Sequence, residues 1–84
     1  MKPIRLSAHA LSYVTRRGFT VADVEEAIRA GSWGEAELGR LECRKDFPFD
    51  AEWNGRRYAT KQVRPIFVDE ENEIVVITVY TYYY

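Results

Sequence analysis

The sequence predicts an α+β domain, two N-terminal helices followed by one antiparallel β-sheet of about four strands. Three observations carry this expectation. Residues 7–31 hold two apolar patterns of helical period with capping signals at their ends. From Trp33 onward the period changes to that of strands. Asn54-Gly55 and the polar link Asp69-Glu70-Glu71-Asn72-Glu73 then supply hairpin turns.

Ser7 is a good N-cap, and Ala8 to Arg17 has no glycine or proline to interrupt a first helix. Leu11 and Val14 make its apolar stripe with Ala10 beside them, and Gly18 suits the left-handed position past its end. The second helix opens on Thr20 and Asp23 at capping-box spacing, with Phe19 and Val24 as a hydrophobic staple. Val21, Val24, Ala27 and Ile28 recur at helical spacing, and Gly31 closes the run.

In Arg40 to Phe47 one strand face takes Leu41, Cys43 and Phe47, and the other Arg40, Glu42, Arg44 and Asp46. Pro48 is expected to stop this strand. A second runs from about Arg57 to Val63, with Pro65 at an edge, bulge or junction. Ile66–Val68 and Ile74–Thr81 pair as a hairpin, and Ile74-Val75-Val76-Ile77 reads as a central strand covered on both faces.

With 84 residues, 46% apolar and 30% charged, the chain is expected to form a single domain spanning 1–84. The lone Cys43 cannot make an internal disulfide and reads as a packed side chain, not a nucleophile. There is no apolar run of signal or membrane-spanning length, so a cytoplasmic protein with no membrane partner is expected. The net charge of −1 argues against non-specific coating of nucleic acid. Its distribution is uneven: Lys2, Arg5, Arg16 and Arg17 precede an acidic middle, and Arg44, Lys45, Arg56, Arg57, Lys61 and Arg64 follow it. The basic segments make an anionic-ligand site if they meet, and otherwise a solvated surface.

Neither a phosphate-binding glycine loop nor a CxxC pair is present, and one histidine cannot build a His/Cys metal site, so no metal and no cofactor is expected. That histidine, His9, falls in the first turn of the first helix, where backbone N–H groups disfavour the imidazolium. A neutral imidazole there is a candidate general base, with Tyr13 and Arg16 on the same face; a surface histidine supporting the helix is the alternative. Strand alternation groups Arg40, Glu42 and Arg44, then Gln62 and Arg64, then Thr78 and Tyr80. If these faces coincide they make a cationic patch with hydroxyls, as a metal-free ribonuclease requires; otherwise they are cross-strand ion pairs in solvent. Tyr80, Tyr82, Tyr83 and Tyr84 suit base stacking, core completion or a partner contact, and for the last two a protein or homo-oligomer contact is favoured.

Leu6-Ser7-Ala8-His9-Ala10, Arg16-Arg17-Gly18-Phe19-Thr20, Val24-Glu25-Glu26-Ala27-Ile28 and the ending Ile74-Val75-Val76-Ile77-Thr78-Val79-Tyr80 together resemble the family called domain of unknown function 4258. The resemblance spans nearly the whole chain. It implies a prokaryotic toxin of a toxin–antitoxin system, with helices packed on one antiparallel sheet as in RelE-like and barnase-like ribonucleases. It places His9 and Thr78 at the family's characteristic positions. It implies RNA as substrate, a cognate antitoxin as partner, and Arg16, Arg44, Lys61 and Arg64 as phosphate contacts. On that analogy His9 is the acid or base, and Thr78 and Tyr80 position the RNA for attack by a ribose 2′-hydroxyl. An inactive relative serving as a protein-interaction or RNA-binding module is the alternative. The chain departs from the family in its mild acidity and in a longer stretch from Arg44 to Gly55.

Overall fold

The computed structural model describes residues 2–84. The chain runs β1 (Ile4–Leu6), α1 (Ala8–Leu11), α2 (Val14–Arg17), α3 (Val21–Ala30), β2 (Gly34–Glu35), β3 (Leu41–Glu42), β4 (Lys45–Trp53), β5 (Arg56–Asp69) and β6 (Ile74–Tyr83). The expected pair of helices on about four antiparallel strands is therefore corrected. The fold is α+β but mostly sheet: six strands in a mixed sheet, with three short helices.

The helical expectation fails at one point. Ser12 turns its hydroxyl back onto the His9 carbonyl at 2.6 Å, and the Tyr13 N–H donates to Ala10 rather than to His9. This local competition for backbone acceptors splits the first helix into α1 and α2. Their caps are as expected: Ser7 Oγ accepts from the Ala10 N–H, and Gly18 ends α2 at φ 72°. In α3 both halves of the capping box form, each at 3.0 Å, and the staple residues Phe19 and Val24 are buried.

The sheet order is β1-β6-β5-β3-β2, with β4 also pairing β5. β1 lies parallel to β6, Ile4 against Ile74 and Leu6 against Val76; all other pairs are antiparallel. β3 and β4 sit along one edge of β5, whose pairing passes from β4 at Val63 to β3 at Ile66. Pro65 occupies that junction, where no ladder partner on that side asks for an N–H. Pro48 does not stop its strand. β4 has no further strand beyond it, so it continues past Pro48 through a bulge in which Asp50 takes φ 43°.

A second bulge decides which side chains face where. Ile66 pairs with Thr78 but Phe67 pairs with Val76, so Ile77 is the extra residue in β6. Ile74 and Val76 point into the core, and after the bulge Val79 does. Thr78, Tyr80 and Tyr82 are thereby turned to the opposite face. The helices cover the first face, where Ala10, Phe19, Val24, Ala27 and Ile28 pack on Cys43, Val63, Phe67, Ile74, Val76 and Val79. No helix of the described residues is long and apolar enough to cross a membrane.

Candidate functional site

The face of the sheet turned away from the helices carries the site. Register places Thr78 beside Ile66, Tyr80 beside Arg64 and Tyr82 beside Gln62, with Glu42 across from Ile66 on β3. Arg64 grips Glu42 through two parallel hydrogen bonds, Nε to Oε1 and Nη2 to Oε2, both 2.9 Å. These bonds hold the Glu42 carboxyl below the usual glutamate range and the Arg64 guanidinium above its ordinary value. Arg44 lies 3.5 Å from the same carboxylate and is more than half exposed.

Beside this pair is an open hollow of about 640 Å³, floored by Arg64, Ile66, Thr78 and Tyr80. Its lip is the turn from Glu35 to Arg40, in which Leu38 takes φ 61° and stands 85% exposed. Three acids and two arginines line it (Glu35, Glu37, Glu42; Arg40, Arg64), so the hollow itself is not a cationic pocket.

Arg17 joins the helices to this face. Its carbonyl accepts from Thr81 Oγ1 at 2.6 Å and from the Tyr83 hydroxyl at 2.8 Å, pinning the end of α2 to the covered side. Its guanidinium reaches the edge of β6 past the end of β1, donating from Nη1 to the Val79 carbonyl at 2.7 Å and to Thr78 Oγ1 at 3.3 Å. The same guanidinium carbon stands 3.8 Å from the Tyr13 ring centre and 5.0 Å from that of Tyr80. On the far side of this contact, His9 meets Tyr13 edge-on at 5.0 Å, and Arg16 is 5.8 Å from the Tyr13 ring. Arg64 completes the row at 5.6 Å from Tyr80.

The expected residues therefore separate into groups. His9, Arg16, Thr78, Tyr80 and Arg64 lie along one continuous row whose links are Tyr13 and Arg17. His9 is exposed but stands at the β6 edge, outside the lining of the hollow. Arg44 is at the margin, tied to Glu42. Lys61 lies on the covered face: its Nζ donates to the Gly18 carbonyl at 3.1 Å and to Asp23 at 2.9 Å, and its side chain is 12% exposed. It fastens the α2–α3 turn to the sheet. Tyr83 packs on the covered side, stacked on Trp53 at 4.9 Å and 16°.

Arg17 is the residue the sequence reading passed over in favour of Arg16. Its signal was the i,i+4 spacing from Tyr13, which sets a guanidinium over a ring on one helix face. Among the described residues, no group of three or more His, Cys, Asp or Glu side chains is placed to hold a metal ion. No protein-family model matches the chain, and neither a curated protein nor a solved structure does.

Proposed function

We propose that the protein is a metal-independent endoribonuclease of toxin type, acting in the cytoplasm and restrained by a cognate antitoxin. The observation that carries this reading is the Arg17 guanidinium, which is in contact with both the His9–Tyr13 cluster and the Thr78–Tyr80 segment. His9 and Thr78 are also the positions that the expected resemblance to domain of unknown function 4258 singles out. A guanidinium has five N–H donors, and among the described residues only Nη1 of Arg17 is engaged, so the rest are available to an RNA phosphate.

In this reading His9 takes the proton of a ribose 2′-hydroxyl, whose oxygen attacks the neighbouring phosphorus. The bond to the 5′-oxygen breaks, leaving a 2′,3′-cyclic phosphate, and the departing oxygen takes a proton from water. Arg17, with Arg16 beside it, offsets the charge that builds on the phosphate. Thr78 and Tyr80 orient the nucleotide, and Arg44, more than half exposed beside the Arg64–Glu42 pair, reaches the next phosphate.

Inducing the wild-type chain without a partner is expected to halt growth and fragment RNA, and His9→Ala to abolish both. Intact RNA and normal growth with both chains would remove the nuclease reading. A second reading is an RNA-binding module without cleavage: with Arg64 paired to Glu42 and Lys61 to Asp23, few strand cations are left to offset transition-state charge, while Arg16 and Arg17 still suit a ground-state phosphate. It survives that outcome if RNA affinity remains.

A further inference from the structure

Tyr82 and Tyr84 extend the row past Tyr80, and the proposed cleavage step uses neither. Both belong to the face opened by the bulge at Ile77, and they are 41% and 57% exposed. The Tyr84 hydroxyl is held firmly and the Tyr82 hydroxyl only loosely. Tyr84 donates to Asp46 Oδ2 at 2.6 Å, a bond that runs from the β6 end across β5 to β4. Arg64 Nη1 reaches the Tyr82 oxygen at 3.4 Å, and Gln62 Nε2 donates to Asp46 Oδ1 at 2.9 Å. The Tyr84 hydroxyl, bound two strands away, fixes that ring across the sheet, and both rings remain partly exposed on this face.

We propose that Tyr82 and Tyr84 are a stacking platform for two consecutive unpaired bases of single-stranded RNA, flanking the phosphate assigned to Arg17. The ligand class rests on the RNA-directed reading above. Alternate residues on a strand are about 7 Å apart, a spacing that suits an extended single strand and not the close stack of a duplex. The guanidinium groups of Arg17 and Arg64 lie at the Tyr80 end of the row, where the backbone would continue toward the hollow. The carboxylates nearest the rings, Glu42 and Asp46, are engaged by Arg64 and by Tyr84 and Gln62 respectively. The side chains around the rings are Gln62, Asp46, Thr60 and Pro48, a polar border that supports stacking better than burial against an apolar protein partner.

The test is the anisotropy of a short labelled 2′-O-methyl oligoadenylate, which binds without being cleaved. Tyr82→Leu/Tyr84→Leu is expected to lose about tenfold or more in affinity, and Tyr82→Phe/Tyr84→Phe to stay within about threefold of wild type. The same probe annealed to its complement is expected to bind more weakly than the single strand. Equal affinity of wild type and the Leu variant overturns the platform, as does a duplex bound as tightly as the single strand, or no binding at all. If the Leu pair fails to fold, Tyr82→Leu alone carries the test, since its hydroxyl has only the long contact to Arg64. Because the probe is inert to cleavage, an absence of nuclease activity and a failure of the platform are read separately.

Discussion

Glu42 and Arg64 show how one pair of side chains serves both the fold and the site. Each is about one-fifth exposed, and each takes most of its hydrogen bonds from the other. The Glu42 carboxyl titrates below its ordinary 4.5 because Arg64 donates to it, so the unfolded chain binds this proton more readily than the folded one. The stability it contributes is present above about pH 4.5 and is lost as pH falls through the lowered value. Glu42→Gln is expected to lower the urea midpoint at neutral pH and to flatten its decline between about pH 5 and 3. The limb does not vanish, because Asp46 is held low by Tyr84 and then Gln62, and Glu73 by Arg5. An unchanged acid limb in the variant would mean that the pair adds nothing to folding. His9, by contrast, sits on the surface with one aromatic neighbour, and its use is chemical or none.

At the scale of elements, the α2–α3 turn is the piece on which both faces depend. Gly18 takes φ 72°, and a Cβ there would come within 2.7 Å of the Trp53 ring and also meet the Tyr83 hydroxyl. The turn can approach the sheet only because this residue has no side chain. Gly18→Ala is expected to destabilise the protein by about 2 kcal/mol, combining the left-handed backbone cost with displaced aromatic rings. Urea unfolding followed by tryptophan fluorescence measures it, and a loss below about 0.5 kcal/mol would show that the turn relaxes without cost. The bulge in β6 has the corresponding role for the sheet. Without the extra residue Ile77, strict alternation would send Thr78 and Tyr80 to the same side as Ile74 and Val76, into the helices. One inserted residue keeps the apolar half of the strand inward and exposes the polar and aromatic half.

Over the whole molecule, the sheet separates the apolar core from the candidate site by face. The covered side holds the apolar core, with Lys61 clamped at its margin, and the uncovered side holds arginines, tyrosines and carboxylates. Many of the chain's cations are spent on internal ion pairs: Arg64 on Glu42, Lys61 on Asp23, Arg29 on Glu25 and Arg5 on Glu73. RNA affinity should therefore rest on about three phosphate contacts and have a shallow salt dependence. The expected slope of log affinity against log salt for a single strand is about −2. A slope of about −5 or steeper in a salt titration would point to a broad basic surface that this charge arrangement does not provide.

The sequence by itself determined the outer helix ends and named candidate side chains for the site. Ser7, Gly18 and the Thr20–Asp23 box act within four residues of themselves, so their meaning is local and readable. His9, Thr78, Tyr80 and Arg64 were visible for the same reason, as residue types on recognisable elements. Strand alternation already set Lys61 on the opposite side from Arg64, yet only packing showed which side the helices would take. The parallel contact of β1 with β6 joins residues about seventy positions apart, and no local pattern announces it. The bulge at Ile77 is fixed by pairing with β5, and the reach of Arg17 along the β6 edge exists because β1 ends at Leu6. These are decisions of tertiary structure, because a register is a relation between two strands and neither strand carries it alone.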